Sequence, residues 1–179
     1  MSCRAPSGLR IAPPSLFLLF ALLAPLPLTA QQPDLSLHVG VSQWDLSGTG
    51  TDVSAALRAR FGLNSVLSIE AGLGATVLAR ASTGADEGSW LFTPEVQLQV
   101  AAPGRVSPYL GVGVGLAHET SRASADSETR TAASVSAGVR LSLSDRFSLV
   151  PELRVRGIGD SFQGSTAEWT LGLNLGPGG

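Results

Sequence analysis

The sequence has few of the residues on which disulfide-bonded and soluble proteins depend. Its single cysteine, Cys3, lies near the amino terminus, so the rest of the chain has no disulfide and no thiol chemistry. It contains no lysine, and charged residues make up 15% of the chain, against about 25% in ordinary soluble domains. A chain with so few charged residues has little surface to present to water.

The charge balance excludes another class of function. The 12 basic residues, all of them arginine, are outnumbered by 14 acidic residues, and the formal net charge is −2. Proteins that bind nucleic acids usually carry clustered basic residues on one face. We therefore expect no nucleic-acid partner.

The first 30 residues have the pattern of a secretory signal peptide. Arg4 and Arg10 provide a basic start, and residues 16–24 are almost wholly apolar before two prolines interrupt the run. This apolar run is too short to cross a bilayer as a helix.

A small residue, Ala30, offers a cleavage point before Gln31. We therefore expect residues 1–30 to be removed and residues 31–179 to form one exported domain. An uncleaved membrane anchor is the alternative.

After the predicted signal peptide, apolar and polar residues alternate with a period of two, and we find no convincing helical period. The alternating segments have about ten residues each and are separated by clusters of Gly, Ser, Asp and Pro. We predict eight β-strands, roughly at residues 35–46, 53–61, 66–80, 89–101, 108–118, 131–143, 147–157 and 166–175.

The predicted connections differ in length. Those at 62–65, 102–107 and 144–146 are short, whereas those at 81–88 and 119–130 are longer and polar. Short turns at one end and longer loops at the other are typical of outer-membrane barrels, in which the short turns face the periplasm.

Alternation alone leaves open which face meets the surroundings. A soluble secreted barrel would enclose its apolar face, as a cavity for a small apolar ligand, whereas a membrane barrel turns that face outward. The polar face here is rich in glycine, which weakens an exposed strand but makes room for long side chains inside a narrow barrel. These glycines are Gly72, Gly74, Gly111, Gly113, Gly115, Gly138 and Gly172.

The charges on the polar face nearly balance, which also favours a membrane barrel. Charges withdrawn from water need partners, and arginine binds a carboxylate with two hydrogen bonds. We predict an interior charge cluster. A turn centred on Asn64 would place Arg58 opposite Glu70, and a loop centred on Phe162 would place Arg156 opposite Glu168. The alternative is a set of surface ion pairs on a soluble barrel. The members are Arg58, Arg60, Glu70, Glu95, Arg140, Glu152, Arg154, Arg156 and Glu168.

Two further features concern the ends and interiors of the strands. Trp44, Trp90 and Trp169 fall near the same predicted outer end, as aromatic residues at a membrane interface do.

Pro94 and Pro151 fall inside predicted strands, where each removes a ladder hydrogen bond, so we expect a β-bulge at each.

The chain resembles the small OmpA-like or OmpX-like outer-membrane β-barrels. The resemblance rests on the eight-strand layout, on the two strands that contain Pro94-Glu95 and Pro151-Glu152, and on the run Pro-Tyr-Leu-Gly-Val-Gly-Val-Gly-Leu at 108–116. This resemblance implies an all-β, eight-stranded, antiparallel, up-and-down transmembrane barrel located in the outer membrane. It also implies contact with membrane lipid and lipopolysaccharide, and dependence on periplasmic chaperones and the barrel-assembly machinery during biogenesis.

Some barrels of this kind modify lipid A, so catalysis has to be considered. The sequence has two histidines, His38 and His118, and His118 is followed by Glu119, Thr120 and Ser121. Consecutive residues at the end of a strand do not converge on one point, and no group of His, Asp or Glu has metal-ligand spacing.

We therefore expect no catalytic, cofactor or metal site. Because side chains fill the interior of an eight-stranded barrel, broad porin transport is not expected either. The predicted role is structural, or one of surface interaction through the loops.

Overall fold

The computed structural model describes residues 32–44, 51–78, 89–120, 127–159 and 164–176 of the chain. The predicted signal peptide and its cleavage point lie outside these ranges. Within them, no helix is long and apolar enough to cross a membrane.

Eight antiparallel strands form one closed barrel. Each strand pairs with the next along the chain, and the last pairs with the first, so the sheet has no free edge. All eight predicted strands are present, and the predicted fold is confirmed. They are β1 (Asp34–Trp44), β2 (Thr51–Gly62), β3 (Leu67–Leu78), β4 (Ser89–Ala101), β5 (Val106–Thr120), β6 (Ser127–Ser142), β7 (Phe147–Ile158) and β8 (Gly164–Leu175).

The hairpin of β5 and β6 is longer than the sequence predicts. Half of the loop expected at 119–130 belongs to the two strands, and Glu119 pairs with Glu128 in the ladder. The prediction was wrong here because apolar alternation ceases near His118, whereas backbone pairing continues into a part of the hairpin that is polar on both faces.

The two strand prolines interrupt hydrogen bonding without the expected bulges. Phe92 pairs with His118, and Glu95 pairs with Gly115. The unpaired stretch around Pro94 therefore has the same length on both strands, so neither strand carries an extra residue.

The ladder between β6 and β7 is interrupted in the same way around Pro151. Gly138 pairs with Glu152 and Leu141 with Leu149, so the unpaired stretch is again of equal length on both strands. Each proline still pairs with its other neighbouring strand and is exposed on the outer wall. The missing N–H therefore breaks one ladder locally but shifts no register.

The two faces of the barrel have the opposite polarity to those of a soluble barrel. On the outer wall Leu110 is 67% exposed and Val112 is 59% exposed, whereas inside, Arg156 is 1% exposed and Gln99 is fully buried. An apolar band facing outward around a polar interior is the arrangement of a membrane barrel. The predicted assignment of the faces is confirmed, and the soluble barrel with an apolar ligand cavity is excluded.

Two of the three tryptophans can be located on this wall. Trp90 and Trp169 are exposed outward, and the Trp90 ring stacks on Phe92 with 6.1 Å between the ring centroids. The side chain of Trp44 lies outside the described part of the chain.

We expect a charge on the middle of the outer wall to destabilise the barrel strongly. Replacing Val112 in mid-strand by Arg should cost about 2–4 kcal/mol in lipid, whereas Val106→Arg near the turn end should cost about 0–1 kcal/mol. Urea unfolding in phospholipid vesicles, followed by tryptophan fluorescence, measures both. Equal effects of the two substitutions would contradict the assignment of the apolar band.

Candidate functional site

The interior of the barrel brings most of the predicted charges together. Alternation places them at inward positions of β2, β3, β4, β6, β7 and β8, so that they meet across the lumen. Eight of the nine are buried, and Arg60, near the end of β2, is half-buried.

Arg154, on β7, lies at the centre of this arrangement. Its Nη1 donates to Glu95 Oε1 at 2.7 Å, its Nη2 to Glu70 Oε1 at 3.0 Å, and its Nε to Glu152 Oε1 at 2.9 Å. One guanidinium thus connects three carboxylates from three strands, and two of these lie on the far side of the lumen. Its planar fork of donors allows this, whereas a lysine ammonium would not present them in the same geometry.

Glu152 forms a second junction. Its Oε1 accepts a hydrogen bond from Arg58 Nη1 at 2.9 Å, and its Oε2 accepts one from the Tyr109 hydroxyl at 2.5 Å. Because Arg58 is on β2 and Tyr109 on β5, this carboxylate connects opposite walls of the barrel.

Glu95 connects the centre of the cluster to the loop end of the barrel. Its Oε2 accepts from Arg156 Nε at 2.8 Å, and its Oε1 accepts from the Ser134 hydroxyl at 2.8 Å as well as from Arg154. Arg156 also forms an ion pair with Glu168. Every carboxylate of the predicted cluster is therefore in contact with at least one arginine.

The predicted cross-strand register was wrong by two residues in both hairpins. Arg58 is directly opposite Gly72, and Glu168 is directly opposite Arg154. The ion pairs of Arg58 with Glu70, 3.7 Å apart, and of Arg156 with Glu168 are formed diagonally instead.

The first of these errors has a visible cause in the turn between β2 and β3. The Asn64 side chain accepts hydrogen bonds from the backbone N–H groups of Val66 and Leu67, and Leu63 N–H donates to Leu67 O. The turn is therefore centred one residue later than the expected position at Asn64, and this moves each partner by two.

Two arginines of the predicted set stand apart from the centre. Arg60 forms an ion pair with Asp34, a residue that was not predicted to take part. Arg140 donates to Gln99 Oε1 and lies over the Tyr109 ring at 4.2 Å from its centroid. Among the described residues, no carboxylate forms an ion pair with Arg140.

The inward glycines make room for these side chains. A Cβ at Gly138 would lie 2.6 Å from Tyr109 Cζ, and a Cβ at Gly172 would lie 2.4 Å from Cε1 of the buried His38 ring. Both distances are far below van der Waals contact. Glycine on the polar face is therefore a packing requirement of a filled interior.

An apolar layer inside the barrel was missed by the sequence analysis. Its five members face inward near the loop end, and we call it the apolar septum. The available signal was the occurrence of adjacent apolar residues that break the alternation, such as Val77 before Leu78 and Leu91 between Trp90 and Phe92. The septum consists of Leu78, Leu91, Ala117, Ala132 and Ile158.

Of the residues grouped with His118 in the sequence, Ser121 lies outside the described part of the chain, and His118 and Glu119 do not converge on one point. His118 Nδ1 lies 2.7 Å from Thr129 Oγ1, and Glu119 follows it in the same strand, where successive side chains point to opposite faces. Within the described ranges, no group of three or more His, Cys, Asp or Glu side chains could hold a metal ion.

Comparison with known families agrees with this inverted, closed architecture. The model of the family described as "Outer membrane protein beta-barrel domain" matches residues 15–176. The chain belongs to this family. No curated protein sequence matches the chain.

Solved structures of outer-membrane proteins share the fold. Neisserial surface protein A has a TM-score of 0.70 at 15% identity, covering 81% of this chain and 97% of that one. Ail of Yersinia pestis has a TM-score of 0.56 at 17% identity, with 81% and 97% covered. The N-terminal barrel domain of Pseudomonas aeruginosa OprF has a TM-score of 0.54 at 13% identity, with 81% and 99% covered. At these identities the likeness concerns the fold alone.

Removal of one central carboxylate should destabilise the barrel. Glu152→Gln keeps the shape of the side chain but leaves Arg58 and Arg154 without its charge, at a cost of about 3–5 kcal/mol, as for other broken buried ion pairs. Urea unfolding in vesicles measures this cost. The matched control is Glu128→Gln, because the Glu128 side chain is 60% exposed beside Arg130, and we expect little change. Equal stability of the two variants would contradict a structural role for the cluster.

Proposed function

We propose that this protein is a non-enzymatic integral outer-membrane barrel with a closed interior, which acts in the envelope as a structural element or, through its loops, in surface interactions. The observation that supports this most is the filling of the lumen at two successive levels. The charge cluster fills the middle, and the apolar septum lies above it towards the loop end.

The charge cluster argues against an open aqueous pore. Its side chains extend from opposite walls and hydrogen-bond to each other across the axis. The Arg154 guanidinium and the carboxylates around it are therefore bound to each other. An eight-stranded barrel is also narrow enough for side chains to fill its interior.

The apolar septum adds a second obstacle of a different chemical kind. Ile158 is 1% exposed and Leu91 is 2% exposed, and the cavity between the septum and Glu119, Glu128 and Arg130 has a volume of about 10 Å³. Such a space holds about one water molecule. Apolar packing of this kind would disfavour the passage of a hydrated ion.

The proposed partners follow from the outer wall and from biogenesis. Membrane lipid and lipopolysaccharide would contact the apolar band, which includes Leu37, Leu110 and Val135. Periplasmic chaperones and the barrel-assembly machinery would handle the chain before insertion, because this band would otherwise be exposed to water.

We expect the purified protein to conduct no steady ionic current in planar lipid bilayers. A variant that combines Leu91→Ala and Ile158→Ala with Arg154→Ala and Arg156→Ala should conduct, because it removes both obstacles. Each protein is first checked by circular dichroism for the β-structure of the folded barrel. Steady current from the wild type, equal to that of the fourfold variant, would contradict the closed interior.

A deletion strain separates the structural role from the lipid A-modifying alternative. We expect the strain to become sensitive to detergent while its lipid A mass spectrum stays unchanged, and either the wild type or His118→Ala should restore resistance. The alternative predicts an altered lipid A that the wild type restores and the His118 variant does not.

A further inference from the structure

The end of the barrel that carries the short turns contains a cup, and Arg60 is the one member of the predicted charge cluster among its lining residues. The cup has a volume of about 370 Å³ and lies between the turn that joins β4 to β5, the turn that joins β6 to β7, and the ends of β1 and β8. We call it the turn-end cup. Its charged lining residues are Asp34, Arg60, Arg105, Asp145 and Arg146.

The lining of the turn-end cup has an excess of positive charge. Arg60 is neutralised by its ion pair with Asp34. Arg105 and Arg146 are exposed on the two turns, and neither forms an ion pair with a carboxylate of the described residues. Asp145 is the one other carboxylate among the described lining residues.

A third arginine near this end, Arg140, forms no ion pair with any carboxylate of the described residues. Arg140 precedes the lining residue Ser142 by two positions on β6, which places it on the same face about 7 Å deeper. It is 7% exposed, and its Nη1 is buried with no hydrogen-bond partner in the described part of the chain. Arg140 is not itself a lining residue, so it contributes to the cup through its charge and not by direct contact.

The charge surplus at this end is therefore larger than the lining alone indicates. Arg60, Arg105, Arg140 and Arg146 face Asp34 and Asp145, a surplus of two positive charges among the described residues. The centre of the barrel, by contrast, has each of its carboxylates in contact with an arginine. The surplus is thus local to the mouth of the barrel.

We propose that the turn-end cup binds a small soluble anion through a phosphate or carboxylate group. Guanidinium groups recognise both oxyanions with paired hydrogen bonds. The volume is at the lower end of the range of about 300–1,000 Å³ for ligand pockets, so it suits a small molecule or one terminal group of a larger one. Because the short turns are predicted to face the periplasm, that compartment would supply the ligand. This site goes beyond the proposed function and does not depend on it.

The experiment uses the full folded protein in nanodiscs made of uncharged phosphatidylcholine. Isotope-labelled arginine side chains are followed by NMR while inorganic phosphate, succinate or chloride is added at constant ionic strength. We expect saturable shifts with phosphate or with succinate and none with chloride, and comparison of the first two ligands identifies the preferred group.

The decisive variant carries Arg105→Gln and Arg146→Gln together. Both residues are exposed on turns, so the barrel should still fold, and the loss of two partly screened charges should weaken binding about tenfold. The matched control is Arg130→Gln at the loop end, which should bind as the wild type does. The proposal is overturned by non-saturable shifts with both oxyanions, by unchanged affinity in the double variant, or by equal loss in the control.

Discussion

The structure depends on the pairing of charges that a lipid-facing wall has enclosed. An apolar outer band leaves the interior as the place for the polar half of each strand, where buried arginine and glutamate are stabilised by ion pairs and hydrogen bonds. Arg154 contacts Glu70, Glu95 and Glu152 at once. The carboxylates in turn join β2, β3, β4, β7 and β8 across the lumen, so the interior contacts supplement the hydrogen bonds of the sheet.

The different layers of the interior account for different properties. The charge cluster and the inward glycines occupy the middle, the apolar septum lies towards the loop end, and the turn-end cup is lined by two arginines that form no ion pair with a described carboxylate. The proposed closure at the loop end, together with the charged cup at the turn end, differs from the arrangement of an open channel. We propose that such a barrel supports loops on one side and receives a small anion on the other.

The strands, the orientation of their faces and the inward charges could be predicted because alternation is a local signal along each strand. The contacts between strands were predicted less accurately than the strands themselves. The partner of Arg58 depends on hydrogen bonds of the Asn64 side chain in the turn, and a change of one residue there moves each partner by two. The bulges expected at Pro94 and Pro151 were wrong because one missing N–H can be tolerated without inserting a residue. The septum was missed because Leu78 and Leu91 occupy inward positions at which alternation predicts polar residues.

The central claim is that a closed barrel with an apolar exterior spans the outer membrane. Gel mobility of the isolated outer-membrane fraction, with and without boiling in detergent, tests it most directly. A closed transmembrane barrel resists unheated detergent, so we predict a band in this fraction that changes mobility on boiling. A protein recovered in the soluble fraction, with the same mobility before and after boiling, would contradict the account.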